Sequence, residues 1–448
     1  MTLENKRNEF LLNHWPKYSC APQGAVDVAD FLSSFSTPVS SALVCGRLKL
    51  SETGLWTLFS SGAEITLQWM AGTEWLRPPP NFVFHVSLLR SGDLVCLALQ
   101  CPKSALAKDS FEVSALSLLA PVQGEYRARS AFTIERSQQW ACFIGAVREF
   151  FVQQEFVEAT TPTLVRSPGT EPYLDVFSTD WILGSRRQTF YLPTSPEFHL
   201  KKLLVLGWTR IFEFKTCFRN GEVGTHHQPE FHMLEWYRAY RDLNAIAEDV
   251  QKLIAFLVDR LMPQKNIAKL KRTTMPALFA QHFDGFHLKP GTSREELVNL
   301  ARKNQIAVSD TDSWDDVFFR LFLEKIEAQL GTDGPLLVRD YPPKQAALAR
   351  IGANGFADRF EVYWGGLELA NAFHELNDPK ENEARFREDH ERKKELGKPA
   401  VPVDEELVRA LYYGLPPSGG IALGLDRLFM AIFDIEDIAD TRAFPERA

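Results

Sequence analysis

Aromatic and β-branched residues crowd positions 211–218, and apolar residues with polar ones interleaved fill 231–240, a pattern that predicts a pair of strands. Gly221 and Gly224 fall between them and predict the connecting loop. Glu235 and Tyr237, two residues apart, share one face of the second strand. Arg219 directly follows the first strand, where a guanidinium is placed for bidentate contact with a phosphate. The hairpin therefore predicts a site for a phosphate and a cation together.

The chain before it changes texture twice. Residues 1–38 hold a short amphipathic start (Phe10, Leu11, Leu12, Trp15) and a second helical pattern over 26–35, predicting an N-terminal helical extension. Six short β-like runs follow at 42–50, 55–59, 64–70, 82–89, 93–99 and 111–119, separated by Gly and Ser turns. They predict a small all-β, OB-like barrel over 39–122. Trp56, Phe59, Trp69 and Phe82 are candidates for stacking on single-stranded nucleic acid, and equally for filling the barrel. The basic residues Arg47, Lys49, Arg77 and Arg90 are balanced by Glu52, Glu64, Glu74 and Asp93.

Residues 121–130 read as a linker, and 130–448 as the second domain. A helical period over 132–151 is carried by Trp140, Phe143, Ile144, Val147 and Phe151, and a β-branched run ends at Pro162. Ser195 is expected to cap a helix over 198–206, with Pro196 beside it and Glu197 in the first turn. Further helices are expected over 245–261, 293–303 and 313–330, and a charged, solvated helix over 385–398.

Composition adds limits. With 45% hydrophobic and 24% charged residues and a net charge of −8, the chain reads as globular, without a generally basic surface for nucleic acid. It shows no apolar run of ~18 residues and no leader pattern, so a cytoplasmic protein without a membrane partner is expected. The six cysteines lack zinc-binding spacing and are expected to be reduced core residues.

Two later stretches carry chemistry. Glu361 and Glu368 flank a Gly365-Gly366 turn, an arrangement in which paired carboxylates could face each other across a hairpin and hold Mg²⁺. Asn371, Phe373 and Glu375 share one strand face. Residues 419–430 then run from a glycine-containing strand into a helix, with Arg427 in its first turn.

In combination these segments resemble the catalytic domain of class II aminoacyl-tRNA synthetases, an α+β fold with an antiparallel sheet flanked by helices. The helix and strand ending at Pro162 look like motif 1, 218–237 like motif 2 and 419–430 like motif 3. The Ser195-Pro196-Glu197, Met233-Leu234-Glu235-Trp236-Tyr237 and Phe373-His374-Glu375-Leu376 runs are similar to the lysyl branch. Trp236, His374 and Ala422 bring the chain closest to the lysyl-tRNA synthetase paralogues that modify translation elongation factor P.

The resemblance implies ATP and Mg²⁺ as cofactors, lysine or (R)-β-lysine as substrate, elongation factor P as acceptor and a homodimer. It implies that Arg219 contacts the α-phosphate and Arg427 the γ-phosphate, with Asn220, Gly221, Gln228, Phe231, Leu369 and Gly424 completing the nucleotide site. Glu361 and Glu368 would hold Mg²⁺. Ser195, Pro196 and Glu197 would receive one substrate amine, Glu235, Tyr237, Phe373 and Glu375 would surround the other, Asn371 would assist the carboxylate, and Ala422 would select the isomer. Where the family pattern has Arg-Asn-Glu, this chain has Arg219-Asn220-Gly221, and Glu222 is the nearest substitute; Gln228 stands where the pattern has Asn. The barrel keeps tRNA in view as a partner. Two other functions are therefore carried forward, a lysyl-tRNA synthetase and a non-catalytic synthetase-like regulatory protein.

Overall fold

The computed structural model describes residues 25–28, 30, 41–51, 55–60, 63–75, 89–91, 93–100, 110–120, 134–265, 269–399 and 401–446. The chain divides into two compact units, Met1–Arg129 with Thr133–Glu135, and Ser130–Phe132 with Arg136–Ala448.

In the first unit, β1 (Val26–Asp27), β2 (Ser41–Leu50), β3 (Trp56–Ser60), β4 (Ala63–Trp75), β5 (Leu94–Gln100) and β6 (Ser110–Ala120) form one sheet in the order β1-β2-β3-β4-β6-β5. Because β5 also pairs with β2, the sheet closes on itself around Val44, Leu48, Leu58, Leu97 and Val113. The expected helix over 26–35 does not begin as one: Val26–Asp27 pair in parallel with Val44–Cys45, and Val28 is buried in the barrel core. An open strand edge beside an apolar pocket outcompeted the local helical pattern there. Val28 and Asp30 are helical, so the expected helix sets in just after that pair; residues 1–24, 29, 31–35 and 82–88 lie outside the described residues. Trp56 and Trp69 pack against the core and edge-to-face on each other, ring centroids 6.4 Å apart. Phe59 is exposed and sits across the strand pair from Arg47.

The second unit is built on an eight-stranded sheet. Its strands are β7 (Val157–Glu158), β10 (Arg210–Phe218), β11 (Glu230–Ala239), β12 (Lys271–Thr274), β13 (Leu336–Tyr341), β14 (Ala357–Trp364), β15 (Leu367–His374) and β16 (Ser418–Gly424), in the order β12-β13-β14-β15-β16-β11-β10-β7. The short ribbon β8 (Ser178–Leu183) and β9 (Arg186–Tyr191) stands apart from it. The central pairs are antiparallel, but both edge pairs, β7 with β10 and β12 with β13, are parallel. Parallel neighbours need long crossovers. Between β12 and β13 the crossover is supplied by α4 (Met275–His282), α5 (Arg294–Lys303) and α6 (Trp314–Lys325), which enclose a core of their own.

Period-two alternation assigns the two faces of the sheet. Leu234, Trp236, Ala370, Ala372, Ile421 and Leu423 turn toward α1 (Ile134–Gln153), α3 (Leu243–Leu261) and α9 (Leu425–Phe433), forming the largest core. The residues between them face the other way, toward α2 (Glu197–Val205) and α8 (Glu405–Gly414). A buried bidentate pair, Arg238 to Asp249 at 2.6 and 2.7 Å, ties β11 to α3. The charged segment expected to present a solvated face over 385–398 lies largely in α7 (Pro379–Glu395), whose inner side buries Asn382, Phe386 and Lys393. Cys96 and Cys217 are buried and Cys45 is half-buried, whereas Cys142 is exposed on α1. No helix among the described residues is long and apolar enough to cross a membrane.

Candidate active site

The polar face of the sheet opens into a cavity of about 540 Å³. Arg219, Gln228, Phe231, Glu235 and Tyr237 reach it from motif 2, Glu361 and Glu368 from β14 and β15, Asn371, Phe373 and Glu375 from β15 and its end, and Ala422, Gly424 and Arg427 from motif 3. Ser195 and Glu197 close it from the start of α2.

One end is built for cations. Glu235 accepts from the Ser195 hydroxyl at 2.6 Å and from the Tyr237 hydroxyl at 3.0 Å. Burial, then the charge of Glu197, pushes the Glu235 carboxyl well above the carboxylate range. Burial likewise raises Glu375 to about 7, against the pull of Lys201. Buried acids held in this condition gain most from an ammonium group, which favours their ionised form. Asn371 Oδ1 is buried with no hydrogen-bond partner among the described residues, so a polar acceptor also faces the cavity. Ala422 lies on β16 between Glu235 on β11 and Asn371 on β15, directly paired with each. Its methyl group thus separates the carboxylate from the amide.

The other end is built for anions. The Arg219 guanidinium lies 5.0 Å from the Phe231 ring centroid, and its buried Nε has no partner among the described residues. Arg427 donates to the Glu368 carbonyl at 2.8 Å and contacts His227 Nε2 at 2.8 Å. Glu368 is raised to about 7 by burial and by Glu361. Glu361 itself accepts from Arg359, Tyr341 and Tyr363.

Several expectations need correction. The Gly365-Gly366 turn sets Tyr363 opposite Glu368, and a bulge between Val362 and Tyr363 then sets Asn371 opposite Glu361, so the two glutamates are not a directly paired couple, although both line the cavity. Pro196, not Ser195, is the N-cap of α2; Ser195 Oγ still accepts from the Glu197 amide at 2.9 Å while donating to Glu235. Pro196, Asn220 and Gly221 do not line the cavity. The Asn220 backbone N–H donates to the Asp175 carbonyl. Gly221 has φ +82°, a backbone that a glutamate adopts only with strain. Glu222, the next residue, lines the cavity 3.9 Å from Arg219. Gln228 reaches the cavity, but both ends of its amide are engaged by the backbone of Glu446, at 3.0 and 3.1 Å. His374 pairs with Asp358 at 3.0 Å and does not line the cavity.

Sequence reasoning missed Lys201, Arg359, Tyr341 and Tyr363. The signals were spacings: Lys201 is four residues after Glu197 on a helix, and Arg359 two before Glu361 on a strand.

Comparison with known proteins gives the chain its family. Residues 130–448 match the family described as tRNA synthetases class II (D, K and N). A curated protein of Haemophilus influenzae (strain PittGG) named Elongation factor P--(R)-beta-lysine ligase is 37% identical over 309 residues, 68% of this chain and 93% of the relative. Proteins of the same name from Vibrio parahaemolyticus and Hamiltonella defensa are 37% identical over 318 residues (70% of this chain, 96% of the relative) and 34% over 316 (69% and 94%). The chain belongs to the elongation factor P--(R)-beta-lysine ligase branch of the class II synthetases. The family match begins at residue 130, and the barrel strands β1–β6 lie before it.

The anion end of this ligase-family site carries a pH signature. His227 is held below its ordinary 6.5 by desolvation, then by the charge of Arg427; Arg219 and His226 push the same way and Glu222 opposes them. A neutral Nε2 accepts from Arg427, and a protonated one repels it. For a depressed group the favourable contact is present above the ordinary value and lost as pH falls through the lowered one.

Proposed function

We infer that the protein is an ATP-dependent ligase that activates lysine or (R)-β-lysine as an acyl-adenylate and transfers it to the ε-amine of a lysine on translation elongation factor P. The observation that carries this reading is the division of one cavity into a carboxylate-lined end and an arginine-lined end. A diamino acid and a phosphoanhydride need those opposite environments side by side.

Glu235, Tyr237 and Glu375 receive the side-chain ammonium, Glu197 the other amine, and Asn371 orients the substrate carboxylate. Phe231 and Gly424 accommodate the adenosine, Arg219 meets the α-phosphate and Arg427 the γ-phosphate. The carboxylate attacks the α-phosphorus in line, and the pyrophosphate leaves as its charge is offset by the two guanidinium groups. The acceptor amine then attacks the adenylate carbonyl, forming an amide as the acyl–phosphate bond breaks, AMP leaves and the amine gives up a proton. No side-chain nucleophile is needed.

A divalent cation fits the donor set. Glu361 and Glu368 offer hard oxygen ligands, and Glu368 is raised by the neighbouring negative charge that a cation would offset. Among the described residues no group of three or more His, Cys, Asp or Glu converges as a metal site. Two carboxylates suit Mg²⁺, whose remaining ligands are phosphate oxygens and water. Bound there, it would neutralise charge on the phosphates. The exposed apolar side chains Val152, Val157 and Leu164 near motif 1 support pairing of two copies, and the reading implies a cytoplasmic setting.

Pyrophosphate exchange with α-lysine, (R)-β-lysine and (S)-β-lysine tests the activation step. Ala422→Gly removes the methyl between Glu235 and Asn371, and we expect α-lysine activity to rise roughly tenfold or more relative to (R)-β-lysine. An unchanged preference contradicts the role of Ala422. A second reading, tRNA charging, is supported by the barrel face where Phe59 lies beside Arg47. Charged tRNA that disappears on deletion of residues 1–125, with adenylate formation kept, would establish it.

A further inference from the structure

Lys201 is an unassigned cation inside the carboxylate end. It is 1% exposed, and its Nζ lies 2.7 Å from Glu197 Oε1 and 2.7 Å from Glu375 Oε2. Burial alone would lower its pKa, but the two carboxylates raise it above the ordinary value, so the ammonium stays charged. Glu235, by contrast, receives only the neutral hydroxyl donors Ser195 and Tyr237.

Glu197, Glu235 and Glu375, with Glu171 and Asp389 also lining the cavity, outnumber that one ammonium, so this end keeps an excess of acid for substrate ammonium groups to offset. The bridge also joins α2 to the end of β15, fixing the separation between the group proposed for one amine and a group proposed for the other.

We propose that Lys201 is a specificity-determining positioning residue, an internal ammonium that spaces Glu197 and Glu375 and sets the pocket's charge for a diamino acid. Without it, three neighbouring carboxylates cannot all stay ionised, and they lose their fixed spacing. The inference rests on the lysine-pocket reading above.

The test is lysine-dependent pyrophosphate exchange on the full chain, with ATP KM and thermal unfolding as controls. Lys201→Ala is expected to raise KM for lysine roughly thirtyfold or more, with ATP KM within about threefold of wild type. Added propylammonium, which replaces the deleted atoms and charge, should recover at least part of that loss. Propanol, similar in shape but neutral, should not. Lys201→Met, which fills the space without charge, should show the same lysine defect and serves alone if the alanine variant does not fold. A lysine KM near wild type in either variant overturns the proposal, as does a loss in Lys201→Ala that both additives restore equally or neither restores. Absence of lysine-dependent exchange in the wild type would instead overturn the lysine-pocket reading itself.

Discussion

Arg219→Ala is expected to lower kcat/KM for ATP in pyrophosphate exchange roughly 100- to 1,000-fold while leaving thermal stability near wild type. The side chain's partners are weak: Glu222 is 3.9 Å away, and the guanidinium lies over Phe231 rather than in a buried carboxylate pair. Its Nε is buried without a hydrogen-bond partner among the described residues, which leaves a donor for a ligand. Removing it deletes an interaction that strengthens as charge develops on the α-phosphate, and little that holds the fold. Arg219→Lys should recover only part of the loss, because an ammonium cannot reproduce the bidentate fork. Activity within tenfold of wild type would remove Arg219 from the reaction.

Glu235→Gln should raise KM for lysine roughly thirtyfold or more, with KM for ATP unchanged. The amide keeps the size of the carboxylate and removes the charge that an ammonium seeks. Since burial and Glu197 hold the Glu235 carboxyl above its usual range, substrate binding must draw it into the ionised form. The sign follows: wild-type affinity for lysine falls as pH is lowered, and the glutamine variant loses the part of that dependence due to Glu235. Isothermal titration across a pH series measures both.

Much of this site was legible because a strand's faces are written in every second residue. Glu235 and Tyr237 point into the cavity while Leu234 and Trp236 are core, and the same rule places Asn371 and Phe373 against Ala370 and Ala372. What alternation cannot show is a slip. The bulge at Val362 and Tyr363 shifts the partner of Glu361 by one residue, to Asn371, and nothing in the local pattern marks it. Nor does sequence reveal what a long-range contact takes away. Gln228 looked available to ATP, yet its amide is held by Glu446, 218 residues on. Lys201 has the i,i+4 spacing of an ordinary surface pair with Glu197, and only burial against Glu375 makes it part of the pocket. The parallel sheet edges were hidden for a similar reason, since pairing direction depends on crossovers rather than on strand composition.

The central claim is transfer of the activated amino acid to a protein. Its most direct test is intact-mass analysis of elongation factor P after incubation with the chain, ATP, Mg²⁺ and (R)-β-lysine. The account predicts a gain of one lysyl residue, localised by peptide fragmentation to a single lysine side chain and lost with Arg219→Ala. An unmodified factor under conditions where the same preparation forms lysyl-adenylate would contradict it.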